Sequence, residues 1–147
     1  RGPRAGAARP GHERRKPVGH CRARTASQVL HQNFGEANPG GAQRAAKPGP
    51  QTIRLRFVAP QSLNRVRIVV EETSRAPTQE FVLRGSNDGN TFTDVRRQQF
   101  NFAPPTVTQE VEVYQLALTG VRSLELEINP DISGGAGLAS LKELRVA

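Results

Sequence analysis

Apolar and polar residues alternate along most of the chain after residue 50. Val, Ile, Leu and Phe occupy every second position in 53–57, 66–70 and 124–128, with mostly charged residues between them. Side chains of a β-strand point alternately to opposite faces of the sheet, so this spacing predicts strands with one buried and one solvated face. Gly120 disfavours a helix in 112–126, where the spacing would also fit one. The pattern therefore predicts an antiparallel all-β sandwich.

The connections between the expected strands differ in length. We place strands at about 28–34, 52–58, 64–71, 79–86, 91–98, 107–116, 122–128 and 139–146. In the sixth strand, Val107, Val111 and Val113 are expected to face the core. The four longer connections follow the first, third, fifth and seventh strands, so they meet at one end if every strand reverses direction. Loops on rigid scaffolds often bind ligands, so we expect the site there and not near Asn87 and Asn90.

The most informative turn is the SNDGN segment at 86–90, which lies between two apolar-alternating runs. Asp-Gly between β-prone segments is a strong hairpin signal, because Gly89 accepts the positive φ of a tight turn without a steric penalty. Phe92 and Val95 follow the turn at a spacing of three residues, which indicates a β-bulge. We therefore predict a hairpin at the centre of the domain.

The same hairpin carries a resemblance to a known family. The S-x-D-G-x-x-F pattern of Ser86, Asp88, Gly89 and Phe92 resembles the central hairpin of discoidin domains, the coagulation-factor type C modules of the galactose-binding-like superfamily. The closing LKELRV segment at 141–146 is similar to the last strand of that family. The resemblance implies a jelly-roll sandwich that acts as a lectin-like, non-catalytic module for carbohydrate. The chain departs from the family in having no Trp and one Cys, which excludes an internal disulfide.

The resemblance also implies a possible structural calcium ion, although no cofactor is required. Hard oxygen ligands could come from Glu36, Asn38 and Glu143 if the last strand lies beside the first long connection. The alternative is that these three residues are ordinary surface residues, because the sequence has no dense run of Asp and Asn ligands.

The positive charge of the chain is concentrated at its start. Residues 1–24 contain eight Lys or Arg and one acid, whereas 25–147 contain thirteen Lys or Arg and twelve acids. We therefore expect a disordered basic tail over 1–24 and one folded domain over 25–147. The tail could bind nucleic acid through phosphates, but it has no aromatic residue for base stacking, so a solvated linker is favoured. The sequence shows no signal peptide or membrane span, and without a Met it is expected to be a fragment or processed product.

The fifth connection is the best candidate for a sugar site. Guanidinium groups and amides match sugar hydroxyls, and an aromatic ring can cover the apolar face of a sugar. The expected contacts are Arg96, Arg97, Gln99, Phe100, Asn101 and Phe102, with Arg75, Asn129 and Asp131 from neighbouring loops. The alternative is that Phe100 and Phe102 close the end of the core while the two arginines are solvated.

No catalytic motif accompanies these residues. His31 has no nucleophile context such as G-x-S-x-G, and His12, His20 and Cys21 lack the paired spacing of a zinc site. We therefore expect a binding module and not an enzyme, with a glycan or a glycosylated protein as its partner. A protein-interaction or scaffold domain of the same fold is the main alternative, because one fold hosts many functions.

Overall fold

The computed structural model describes residues 28–31, 43–45 and 47–147. The described part of the chain contains strands and no helix, which confirms the all-β prediction. The strands are β1 (Gln28–His31), β2 (Gln43–Arg44), β3 (Gln51–Glu71), β4 (Thr78–Ser86), β5 (Thr93–Asn101), β6 (Gln109–Asn129), β7 (Ser140–Leu141) and β8 (Glu143–Val146). No helix of the described residues is long and apolar enough to cross a membrane. The predicted tail at 1–24 lies outside these residues, so the tail and the domain boundary at 25 remain predictions.

Two long strands run through both layers of the domain. β3 and β6 each span 21 residues and pair antiparallel along most of their length. Their register shifts between Arg56 and Arg65, where bulges bend the pair. The first half of β3 lies between β1 and the second half of β6, whereas its second half lies between β8 and the first half of β6. The predicted pairs of strands at 52–58 and 64–71, and at 107–116 and 122–128, are therefore single bent strands.

The two layers pack face to face around an apolar core. The sheet order β1-β3-β6-β4-β5 forms one layer, and β8 with the remaining halves of β3 and β6 forms the other. Phe81 of β4 pairs with Ile128 in its own layer, yet its ring centroid lies 6.0 Å from that of Tyr114 in the other layer. The most deeply buried side chains include Ile53, Val66, Ile68, Leu83, Leu124 and Leu126. The sandwich therefore owes its stability mainly to buried aliphatic and aromatic surface.

The first half of β6 buries the opposite face from the one that the sequence predicted. Val111 and Val113 are 44% and 48% exposed, and Val107, which precedes the strand, is 40% exposed. Tyr114, Leu116 and Leu118 pack against the core instead. The pairs Val66–Tyr114 and Leu63–Leu118 fix this register, and a strand with period two can bury only one of its two apolar sets. The larger Tyr-Leu-Leu set is the buried one, so the inward orientation predicted for the three valines is wrong.

The long connections meet at one end of the sandwich, which we call the loop end. Backbone hydrogen bonds join Gly49 N to Gly137 O at 3.2 Å, Phe102 N to Pro77 O at 3.1 Å and Ile132 N to Thr78 O at 2.9 Å. The opposite end, which we call the turn end, holds the Asp88-Gly89 turn and the bend of β6 at Gly120, whose φ of 69° is left-handed. The predicted clustering of the long loops is therefore present in the described residues.

Candidate functional site

Phe100 and Phe102 belong to the core. They are 6% and 3% exposed, and their ring centroids lie 6.5 Å apart. Phe100 also lies 5.3 Å from Phe81, because alternation along β5 points it inward opposite Gln79. Phe102 follows β5, and its N–H donates a hydrogen bond to the carbonyl of Pro77. Neither ring is available as an exposed plate for a sugar, so the packing alternative describes these two residues correctly.

Arg97, midway along β5, and Gln99, two residues nearer its end, lie on the outer face of the first layer. Glu80 of β4 accepts hydrogen bonds from both, at 2.7 Å from Arg97 Nη1 and at 3.0 Å from Gln99 Nε2. Arg97 Nη2 also lies 3.5 Å from Asp94 Oδ2. These partners hold both side chains in an ion-paired surface of the sheet, where Glu80 pairs with Gln99 on one side and with Asn129 of β6 on the other.

Arg96 points to the opposite face from Arg97, because successive side chains of a strand alternate. Its guanidinium carbon lies 5.6 Å from the centroid of the Tyr114 ring, at the open side between β5 and β6. Burial, with a smaller contribution from Glu112, raises the pKa of Tyr114 above its ordinary value, and Arg96 opposes this increase. The two neighbouring arginines therefore cannot act together as one guanidinium fork.

Arg75 and Asp131 do converge at the loop end. A Cβ added to Gly135 would lie 2.3 Å from Asp131 Oδ2 and 3.6 Å from Arg75 Nη2, so both charged groups crowd the same glycine. Hydrogen bonds from Ser133 lower the pKa of Asp131, and the charge of Arg75 adds to this effect. The buried carboxylate of Glu72 accepts hydrogen bonds from the Ser74 and Arg75 N–H groups at 2.8 and 3.2 Å, which orders the loop that carries Arg75.

Two amides complete this surface. Asn129 Oδ1 accepts a hydrogen bond from Asp131 N at 3.3 Å. Asn101 Oδ1 accepts one from Thr78 Oγ1 at 2.7 Å, and the carbonyl of Thr78 is bound to Ile132 N. We call Arg75, Asn101, Asn129 and Asp131 the loop-end cluster. It contains four of the nine predicted contacts: Arg75 and Asp131 lie in two connections, and the two amides are the last residues of β5 and β6.

The turn end, where the sequence predicts no binding site, has a cleft of about 760 Å³. We call it the turn-end cleft; residues from 85–95 and from 117–121 line it. Asp88 Oδ1 accepts hydrogen bonds from Ser86 Oγ and from the N–H groups of Asn90 and Thr91, at 2.7–2.9 Å. The sequence signal for this cleft was the dense polar run from Asn87 to Asp94. The second segment that lines the cleft lies more than twenty residues further along the chain.

Glu143, one of the three predicted calcium ligands, forms ion pairs with Arg67 and Arg145. Glu36 and Asn38, the other predicted ligands, lie outside the described residues. Within 28–31, 43–45 and 47–147, no three His, Cys, Asp or Glu side chains are grouped as a metal site would require. The calcium site therefore remains a prediction.

Comparison with known proteins shows which solved structures share this fold. No protein-family model matches the sequence, and no curated protein sequence matches it significantly. Among solved structures, the CBM32 module of AlyQ in complex with 4,5-unsaturated mannuronic acid is 17% identical, with a TM-score of 0.58 over 84% of this chain and 95% of the module. A pectin-binding carbohydrate-binding module is 14% identical, with a TM-score of 0.58 over 83% of this chain and 90% of its own.

A third similar structure is chitosan-binding module 1 of a chitosanase/glucanase from Paenibacillus sp. IK-5. It is 17% identical and has a TM-score of 0.52 over 83% of this chain and 95% of the module. Identities this low establish the fold and no more. The chain has the antiparallel β-sandwich fold of these modules, which confirms the expected architecture and agrees with the resemblance seen in the hairpin at 86–92.

Proposed function

We propose that this domain is a non-catalytic carbohydrate-binding module that holds its glycan at the loop-end cluster. The observation that carries this proposal is the convergence of Arg75 and Asp131 above Gly135, beside the amides of Asn101 and Asn129. The similarity to modules named for mannuronic acid, pectin and chitosan supports the same class of ligand.

The loop-end cluster has the chemistry that sugar recognition needs. The Arg75 guanidinium donates hydrogen bonds to adjacent hydroxyls, the Asp131 carboxylate accepts them, and each amide does both. Ile132 is 44% exposed next to Asp131 and provides apolar surface for the C–H face of a sugar. Glu72 and Ser133 order Arg75 and Asp131 before any ligand arrives, which lowers the entropy cost of binding.

The same cluster argues for binding without catalysis. Glycoside hydrolysis uses a pair of carboxyl groups that flank the scissile bond, one as an acid and one as a base or nucleophile. Asp131 is the one carboxylate of the loop-end cluster, and the buried Glu72 carboxylate is engaged by the backbone of its own loop. We therefore assign the cluster a role in affinity and specificity.

Replacing Arg75 with alanine is expected to weaken glycan binding about ten- to hundredfold, because a charge-assisted hydrogen bond contributes about 1.5–3 kcal/mol. The full chain should first be screened on a glycan array and the best ligand then titrated by calorimetry. Arg75 is exposed, so the variant should fold as the parent does. A ligand that binds the Arg75→Ala variant as tightly as the parent would contradict the assignment of this site.

A glycine pair provides a matched control at the same loop. The Cβ of Gly135→Ala would displace the Asp131 carboxylate, so this variant is expected to weaken binding at least about fivefold. Gly134 has φ +83° and open space around it, so Gly134→Ala should cost about 1 kcal/mol of stability and leave the affinity unchanged. Both affinities follow from the same titration. Equal effects of the two substitutions on binding would count against a role for Asp131.

A protein partner is the second candidate, and the exposed side chains of Val107, Val111 and Val113 favour it. Apolar residues grouped on a surface commonly mark interaction sites. A glycan array without any hit would favour this alternative. Nucleic-acid binding rests on residues 1–24, which lie outside the described part of the chain, and it remains the weakest of the three functions.

A further inference from the structure

The turn-end cleft is too far from the loop-end cluster to share a sugar residue with it. β4 runs from Thr78 at the loop end to Ser86 at the turn end. Eight steps along a strand span roughly 26 Å at about 3.3 Å per residue. A ligand in the cleft would therefore occupy a separate site.

The cleft has the size and the mixed lining of a small-molecule site. Its volume of about 760 Å³ falls within the roughly 300–1,000 Å³ of typical ligand pockets. Val95 and Leu118 form an apolar floor under Gly85, whose missing side chain keeps the floor open: an added Cβ there would lie 3.5 and 3.7 Å from them. Thr91, from the segment at 85–95, and Thr119, from the segment at 117–121, add hydroxyl groups to the lining.

The charge of the cleft is negative. Asp88 and Asp94 line it, and no Lys or Arg is among the described residues that do so. Asp94 is compensated from outside the cleft by Arg84 at 2.9 Å and Arg97 at 3.5 Å. Backbone hydrogen bonds from Thr91 and Asn90 hold the pKa of Asp88 below its ordinary value, so this carboxylate stays ionised at neutral pH.

We propose that the turn-end cleft is a second glycan site, selective for an amine-bearing sugar residue. The ammonium group pairs with the Asp88 carboxylate, the Thr91 and Thr119 hydroxyls bind sugar hydroxyls, and the Val95–Leu118 floor contacts the C–H face of the ring. A uronic acid would bring a further negative charge close to Asp88, so repulsion disfavours it. This inference rests on the proposed function, because it assumes that the domain binds carbohydrate.

The test compares three soluble oligosaccharides of equal length on the ¹⁵N-labelled full chain: oligoglucosamine, its N-acetylated form and oligogalacturonate. Titration of oligoglucosamine is expected to shift the amide resonances of Asn90, Thr91 and Thr119. The N-acetylated form should bind this cleft at least about fivefold more weakly, because it has lost the positive charge. Oligogalacturonate should leave these resonances unchanged.

Three variants separate the role of the charge from that of the cavity. Asp88→Asn keeps a side-chain oxygen for the turn and is expected to weaken oligoglucosamine binding about tenfold, with little effect on the N-acetylated form. Glu110→Gln removes one negative charge outside the cleft and should change neither affinity. Ala117→Phe replaces an exposed residue at the rim and should block both ligands by filling the cleft.

The outcomes distinguish this inference from the proposed function. If only loop-end resonances such as those of Arg75 and Ser133 respond, the second site does not exist while the proposed function stands. Equal oligoglucosamine affinity for the parent and the Asp88→Asn variant would also overturn the inference. Shifts confined to the cleft and lost in Asp88→Asn would support it and would remove the glycan from the loop-end cluster. No response to any of the three ligands at either end would reject the second site and count against the first.

Discussion

Replacing Phe81 with alanine is expected to lower the free energy of unfolding by about 3–5 kcal/mol. The side chain is 1% exposed and lies between the two layers. Its ring centroid is 5.3 Å from that of Phe100 and 6.0 Å from that of Tyr114, so its loss would leave a cavity that both neighbouring rings line. Denaturant unfolding can be followed by circular dichroism and by the fluorescence of Tyr114, the single tyrosine of a chain that has no Trp.

Phe92→Ala is the matched control for this prediction. Its ring is half-buried outside the core and lies beneath the Arg54 guanidinium, 4.7 Å from the ring centroid. A cation–π contact at such a site contributes about 0.5–1 kcal/mol, so the control should lose about 1 kcal/mol of stability. Equal losses for the two variants would contradict a core centred on Phe81.

The central hairpin was predictable because its signals are local. Ser86 Oγ accepts a hydrogen bond from Gly89 N, and Asp88 Oδ1 accepts one from Asn90 N. Gly89 adopts φ +84°, as the Asp-Gly pair predicts. The expected bulge is present as well: Val95 is the extra residue where the pairing shifts from Leu83–Arg96 to Arg84–Asp94. Each of these features depends on residues fewer than fifteen positions apart.

The course of β3 and β6 was not predictable from alternation alone. Ala59-Pro60-Gln61-Ser62 has the composition of a turn, yet β3 continues through it with shifted register. The continuation depends on pairing between Leu63 and Leu118, which lie 55 positions apart. The same pairing decides which face of β6 is buried, because a one-residue slip exchanges the two faces of a strand.

The candidate sites were likewise predictable only where they do not depend on pairing between distant segments. The clustering of loops at one end follows from strand reversal, so the positions of Arg75, Asn129 and Asp131 were predictable. The fifth strand was expected to end at about residue 98, whereas β5 extends to Asn101, and its alternation points Arg96 and Arg97 in opposite directions. To predict the turn-end cleft, one would have to know which distant segment faces the hairpin, and composition does not provide this information.

Replacing Glu125 with glutamine is expected to cost about 2–3 kcal/mol of stability, the second largest effect that we predict for the fold. Its carboxylate accepts hydrogen bonds from Arg54 Nε and Nη2 at 3.0 and 2.6 Å and from Arg84 Nη1 at 3.2 Å. Only 10% of the Glu125 side chain is exposed, so water cannot fully replace the lost charge. Chemical denaturation of parent and variant at low ionic strength measures the difference.

Glu71→Gln is the control, because it removes one partner of an ion pair whose side chains are more exposed. Glu71 and Lys142 lie 3.2 Å apart with 30% and 40% of their side chains exposed, and such pairs contribute about 0–1 kcal/mol. The ion pairs of Glu125 extend from Arg84 through Asp94 to Arg97. If Glu125→Gln is destabilising and Glu71→Gln is neutral, the ion pairs of Glu125 with Arg54 and Arg84 stabilise the outer face of the sheet. A neutral Glu125→Gln would mean that this network contributes little to stability.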